Sequence, residues 1–221
     1  MTTDVVIIGG GGCGREVCWV FLEDAKKWNV LGFVDDNPAL QGSSLCDLPV
    51  LGDFGWLERN ASKNFRVICA VGNPHVRKQL VQRAAALGLT FCTVLHPSVH
   101  RSRWVEIGPG SVICAGTILT TQVKIGAHVL VNLACTVSHD SVIGAYCNIN
   151  PGCHMSGTVN LGDGVDLGTG AVIIQNKSVG EWSTIGAGAV ITTDIPAFVT
   201  AVGIPCRVIK RHQPELSLAL S

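Results

Sequence analysis

Residues 107–196 read IGPGSV ICAGTI LTTQVK IGAHVL VNLACT VSHDSV IGAYCN INPGCH MSGTVN LGDGVD LGTGAV IIQNKS VGEWST IGAGAV ITTDIP, fifteen steps of six with no insertion. Each step opens on an aliphatic residue or, at Met155, a methionine. Every third step continues with glycine, at Gly108, Gly126, Gly144, Gly162 and Gly180. The fifth residue is mostly small, as at Ser111, Cys135, Cys147, Cys153, Ala171 and Ala189. A six-residue period inside an eighteen-residue superperiod is the signature of a hexapeptide parallel β-helix. Three short strands make one triangular coil, and coils stack about 4.8 Å apart. One coil cannot bury its own apolar edges, so its neighbours complete the core. Positions one and five are therefore the inward face. After Pro196 the period stops; AVGIPCRVIKR (201–211) reads as a terminating strand and the last ten residues as a short helix or loose tail.

Ahead of the repeats, strand and helix signals alternate. DVVII (4–8) reads as a buried parallel strand, followed at once by glycines and then by a helix-like stretch from Glu16 to Lys27. VLGFVDD (30–36) is a second strand ending at Asp35 and Asp36, and Asn37-Pro38 marks a turn. A short strand near Val50, a helix over 54–59, the strand RVICAVG (66–72) and a helix from Pro74 to Leu87, stopped by Gly88, continue the pattern. TFCTVLHP (90–97) closes the unit. The expected organisation is a small α/β domain, a Rossmann-like half, over 1–98; a β-helix over 99–195; and a terminal strand and tail over 196–221.

Composition narrows the function. The 221 residues carry a formal net charge of zero and no basic block, which argues against a nucleic-acid partner. No stretch approaches the roughly 18 unbroken apolar residues of a membrane span. The chain opens on strand-like VVII without the basic start of a signal peptide, so a cytoplasmic location is expected. Ten cysteines include no CxxC pair, and Cys135, Cys147 and Cys153 fall in the small inward register, where a thiol packs as a small hydrophobe. Packing, and not metal or redox chemistry, is their expected role.

Gly9-x-Gly11-x-x-Gly14 lies between a strand and a helix, with an acidic pair about twenty residues on. That spacing matches a dinucleotide fingerprint, in which glycines let a phosphate approach backbone N–H groups at a helix start. A glycine turn that only shapes the corner is the plainer reading. Fewer than 100 residues precede the β-helix, room for one mononucleotide half, so a nucleotide attached to a substrate is a more economical ligand than NAD.

The repeats, the loop VIIGGGGCGREV, the strand end FVDDNP, AVGNPHVR, LHPS, SHDSVIGAYCNINPG and VGIPCRVIK together resemble the NeuD/PglD-like sugar acyltransferases over essentially the whole chain. The nearest subgroup is the N-acetyltransferases of nucleotide-linked 4-amino-4,6-dideoxysugars, the perosamine type included. The resemblance implies a left-handed β-helix, acetyl-CoA as co-substrate, a nucleotide-linked amino sugar as acceptor, no metal, and a homotrimer with active sites between subunits.

Acetyl transfer to an amine needs a base for the amine proton and a donor for the developing oxyanion. His139, at the third position of its step, is the candidate base; histidine is the side chain suited to proton transfer near neutral pH. Taken alone, it is equally an exposed corner histidine. The resemblance implies that Asp140 orients its ring. Adjacent residues of a regular strand point to opposite faces, so that contact requires corner geometry. Gly157 lies eighteen residues on, in the same register one coil later, and is implied to offer its N–H to the acetyl oxygen. Asn132 matches a position near the sugar. Gly11, Gly12, Cys13 and Gly14 are implied to hold the nucleotide, with Asp35 and Asp36 reaching the base and Gly72 and Asn73 lining the same cleft. Asn148 and Ala187 are implied to contact acetyl-CoA, with Arg207, Lys210 and Arg211 near its phosphates. Two departures stand out: Cys13 and Asn148 occupy positions where relatives often have histidine.

Three other functions fit parts of the pattern. O-acetylation of a sialic acid would use the same histidine on a hydroxyl. A zinc hydratase would need three converging histidines, whereas His128, His139 and His154 occupy three registers. A non-catalytic nucleotide-sugar sensor would leave His139, Asp140 and Gly157 without a purpose.

Overall fold

A computed structural model describes residues 2–213, so the helix or tail expected over the last ten residues lies largely outside the described residues. The first unit runs β1 (Thr3–Ile8), α1 (Gly12–Leu22), β2 (Trp28–Val34), β3 (Ser44–Leu45), β4 (Leu48–Gly52), α2 (Phe54–Asn60), β5 (Arg66–Cys69) and α3 (Pro74–Ala86). Its sheet has the order β3-β4-β2-β1-β5, parallel except for the short β3–β4 hairpin. Val5 to Ile8 are buried because both sheet faces are covered. On one side α1 contributes Val17, Cys18, Val20 and Phe21; on the other, α2 and α3 contribute Phe54, Leu57, Val81 and Ala84. α1 starts at Gly12, four residues before Glu16, where the sequence reading began it. Glycine is a poor helix former, which hid that first turn.

The repeats form a left-handed parallel β-helix with three faces. The first face carries the strands at Val112–Ile113, Leu130–Val131, Asn148–Ile149, Asp166–Leu167 and Thr184–Ile185, and ends in the antiparallel pair Val199–Val202 and Arg207–Arg211. The second face includes Ile118–Leu119, Thr136–Val137 and His154–Met155; the third includes Lys124–Ile125, Val142–Ile143 and Asn160–Leu161. Partners on one face are eighteen residues apart, as in Leu119↔Val137 and Val137↔Met155. Position one is buried from Ile113 to Ile191, with Ile107 only partly so, and position five, small or β-branched except at Lys177, packs beside it.

The stack begins earlier than the aliphatic pattern indicates. Val94–Leu95 already pairs with Val112–Ile113, and His100–Arg101 with Ile118–Leu119. TFCTVLHP also stays tied to the α/β sheet: Phe91 bridges to Val67, the Val67 N–H donates to the Thr90 carbonyl and the Cys92 N–H to the Val67 carbonyl, and Cys92 and Val94 join the cluster beneath α1. Arg101 sits exposed where the rule wants an aliphatic residue, which masks this opening coil. At the other end, the expected single terminating strand is a hairpin turned at Gly203.

The structure also accounts for the superperiod. The five glycines of the superperiod lie where the third face turns into the first; Gly168 and Gly186, also at position two, lie where the first face turns into the second. A Cβ on Gly108, Gly126 or Gly144 would stand 2.6–2.7 Å from the backbone of the next coil. Position four of nearly every step has positive φ, including His128, Asp140, Tyr146 and Trp182, so every corner is a tight turn through the left-handed region.

The α/β domain rests on the first face. Val112, Cys114, Leu130 and Leu133 join the cluster beneath α1, and Tyr146 joins the one beneath α3.

Candidate active site

Two groups of residues with chemical potential emerge. The first is a cleft of about 230 Å³ at the carboxyl ends of β1 and β2, lined by Gly9, Asp35, Asp36, Phe54, Val76 and Leu80 among others. This is where open α/β sheets place their ligands. The two carboxylates do different work. Asp35 Oδ2 accepts from the Gly10 N–H at 2.7 Å and Oδ1 from the Asn37 N–H at 2.8 Å, tying the glycine loop to the end of β2. Asp36 Oδ1 accepts from the Phe54 N–H at 2.7 Å at the start of α2, while Oδ2 lies 3.8 Å from Arg83.

Gly11 and Gly12 face open space at the start of α1, whereas Gly14 packs on the Gly9 carbonyl so closely that a Cβ would overlap it. Cys13 is half-buried, and burial raises its thiol pKa to about 11, so it is protonated at neutral pH. Asn73 caps α3, its Oδ1 accepting from the His75 and Val76 N–H groups at 2.9 and 3.2 Å.

The second group lies at the corner between the second and third faces. Asp140 has φ 59, and this turn swings its carboxylate back onto the preceding ring: His139 Nδ1 to Asp140 Oδ2 is 2.8 Å. The corner geometry required from sequence is present. With Nδ1–H given to the carboxylate, Nε2 carries the lone pair and projects outward on a side chain that is 60% exposed. Directly in register, Gly157 sits under the ring, and a Cβ there would overlap His139 Cε1 and Nε2. The coil-to-coil ladder uses the N–H groups of positions two, four and six, as in Thr158 N–H to His139 O at 2.8 Å. The position-three N–H of Gly157 has no protein acceptor among the described residues.

Asn132 and Ala187 belong to the corner between the first and second faces, away from His139 in the same chain. Asn132 Oδ1 accepts from the Leu133 N–H at 2.8 Å. Arg207 and Lys210 are exposed on the terminal strand. Asn148 departs from expectation. It is buried on the first face beneath the α/β domain, and its Nδ2 donates to the Gly72 carbonyl at 2.5 Å and lies 3.3 Å from Asp166. In this chain the side chain joins the two domains and does not face open solvent.

Arg77 lies within AVGNPHVR, and no motif in the sequence marks its role. Its side chain is fully buried, and among the described residues its guanidinium donates only to backbone carbonyls: His128, Val71, Gly72, Tyr146 and Cys147, at 2.7–3.4 Å. Carbonyl partners carry no sequence signal, so pattern reading had nothing to find.

His128, His139 and His154 do not converge within the chain. His128 is sandwiched by Tyr146 and Phe91, and burial with the nearby Arg77 charge lowers its pKa to about 4. His154 pairs with Thr136 at 2.9 Å on the second face. No helix among the described residues is long and apolar enough to cross a membrane.

Comparison with known proteins adds three findings. The PglD N-terminal domain family model matches residues 4–84. No curated protein matches significantly. Among solved structures, a variant of perosamine N-acetyltransferase from Caulobacter crescentus, in complex with CoA and GDP-perosamine, is 30% identical, covering 94% of this chain and 97% of that one at TM-score 0.88. The acetyltransferase domain of PglB from Neisseria gonorrhoeae, in complex with acetyl coenzyme A, is 35% identical over 95% of this chain and 100% of that one at TM-score 0.89. WeeI from Acinetobacter baumannii is 33% identical over 94% and 100% at TM-score 0.83.

Proposed function

Because this chain belongs to the NeuD/PglD-like sugar acyltransferases, we propose that it transfers an acetyl group from acetyl-CoA to the 4-amino group of a nucleotide-linked 4-amino-4,6-dideoxysugar. The observation that carries the reading is the corner at His139, with Nδ1 held by Asp140 and Nε2 free above Gly157. His139 Nε2 accepts the proton as the amine nitrogen bonds to the acetyl carbon. Asp140 accepts the Nδ1–H throughout, which fixes the tautomer and stabilises the imidazolium. The Gly157 N–H donates to the oxygen on which negative charge develops. His139 then returns the proton to the departing thiolate as the carbon–sulfur bond breaks. The acetyl group passes directly from donor to amine.

The α/β cleft holds the nucleotide in this reading. Gly11 and Gly12 offer N–H groups to its phosphates and Asp36 meets the base, with Cys13, Gly14, Asp35, Gly72 and Asn73 shaping the cleft. The active enzyme is a homotrimer in the cytoplasm, where acetyl-CoA and nucleotide sugars are available. The trimer has a geometric rationale. Within one prism, the corner of His139 and the corner of Asn132 and Ala187 are separated by the whole second face, so the two sets can share a site only if neighbouring subunits supply them. No described residue covers that face, which carries Ile118, 44% exposed, with Val172 and Val190 half-buried. CoA would then lie between subunits, with Arg207 and Lys210 near its phosphates.

The test is thiol release from acetyl-CoA against a panel of GDP-, UDP- and dTDP-linked 4-amino-4,6-dideoxysugars, with free sialic acid alongside. Turnover of a nucleotide amino sugar that disappears in His139→Ala is expected. Turnover of sialic acid alone would move the assignment to O-acetylation, and no turnover with no CoA binding would refute the acyltransferase reading.

A further inference from the structure

We infer that Arg77 is a positioning residue that sets the angle between the nucleotide cleft and the β-helix, and so delivers the acceptor amine to the His139 corner. The inference rests on the nucleotide-sugar reading above.

One buried guanidinium connects three places. Its Nη1 donates to Val71 and Gly72, in the segment that leads into α3; its Nε donates to His128; and its Nη2 donates to Tyr146 and Cys147 one coil further on. Val71 and Val76 line the nucleotide cleft. His128 and Tyr146 belong to two successive β-helix corners. The same side chain therefore grips the wall of the cleft and the corner where the third face turns into the first, and the third-face strand between Asp140 and Tyr146 links that corner to the catalytic one. Asn148 reinforces the join by donating to the same Gly72 carbonyl.

The chemistry suits alignment more than adhesion. A guanidinium is planar and has five donors in a rigid fork, so bonds in several directions fix an orientation. Among the described residues its partners are all carbonyls, with no carboxylate to supply an ion pair. Lysine would keep the charge but bring three donors on a flexible stem, and the fork geometry would be lost. Both binding sites would survive that change, because the cleft is built within the α/β domain and the His139 corner within the β-helix. What would change is their relation, and misplacing a reactant by about 1 Å costs on the order of 100-fold in rate.

The experiment compares wild type with Arg77→Lys and Asn148→Ala. It measures calorimetric affinity for the nucleoside diphosphate and for CoA, kcat and KM at saturating acetyl-CoA, and thermal stability. For Arg77→Lys we expect both affinities to stay within about twofold while kcat falls on the order of 100-fold. Asn148→Ala, which leaves the guanidinium in place, should lower kcat roughly 10-fold with the same unchanged affinities, and it carries the test if Arg77→Lys does not fold. An unchanged kcat in the folded variants would overturn the inference. So would a loss of kcat that merely tracks a loss of nucleotide affinity, since Arg77 would then only build the cleft. Weakened CoA binding in Asn148→Ala would return Asn148 to the acetyl donor and overturn its linking role. A wild type inactive on every nucleotide amino sugar overturns the functional reading and this inference together; an active wild type with unaffected variants overturns this one alone.

Discussion

At the scale of single residues, the site depends on one contact between neighbours and one overlap between coils. His139 and Asp140 meet because the left-handed turn at Asp140 undoes the usual divergence of adjacent side chains. Both are half exposed or more, so removing them should leave the fold intact. We expect His139→Ala to lower kcat by roughly 10²–10⁴-fold, the usual contribution of a general base, with an unchanged melting temperature. Asp140→Asn should cost less, on the order of 10–100-fold, because the ring keeps a neighbour but loses the carboxylate that accepts its Nδ1–H and fixes its tautomer; steady-state kinetics with the preferred sugar would check both. Gly157→Ala is predicted to remove activity comparably while leaving both residues in place in the sequence, because the new methyl group must displace the His139 ring. A crystal structure of that variant with the ring in its original place, or full activity, would contradict this.

At the scale of elements, the β-helix coil is an eighteen-residue unit with one corner tighter than the others. The position-two glycines at that corner stand against the next coil's backbone, which cannot give way as a flexible side chain can. Gly144→Ala is therefore expected to destabilise the protein by about 2 kcal/mol through overpacking, read as a lowered melting temperature. The catalytic corner carries Ser138 and Ser156 at position two instead, so it tolerates side chains where the tight corner does not. The same period made the site legible. His139 and Gly157 are one superperiod apart, so stacking puts them together whatever the rest of the chain does. The α/β elements were readable as well, except where glycines opened α1 and where Arg101 concealed the first coil.

At the scale of the whole molecule, two properties follow from how the parts are assembled. An uncovered second face with apolar side chains predicts a trimer in solution, checked by analytical ultracentrifugation; Ile118→Asp should shift the distribution toward monomer and reduce activity, since half of each proposed site comes from a neighbour. The buried histidine between Phe91 and Tyr146 predicts a pH dependence. His128 has its folded pKa lowered to about 4, whereas an unfolded histidine takes up a proton near 6.5. Above that value the group is neutral in both states and has no effect. As pH falls from about 6.5 towards 4 the unfolded chain binds the extra proton and stability declines. Denaturation across that window should show the decline in wild type and a shallower one in His128→Phe.

The amino-acid sequence by itself determined whatever repeats or lies close in coil space. The β-helix, its inward residues and the alignment of His139 with Gly157 all follow from a period that must bury one edge on the next coil. Only the tertiary structure decided how the α/β domain seats on that helix. It buried Arg77 among carbonyls of residues 51 to 70 positions away and turned Asn148 toward Gly72. The reason is physical: those partners are backbone oxygens, which every residue possesses, so no side-chain pattern announces them until the two domains are packed together.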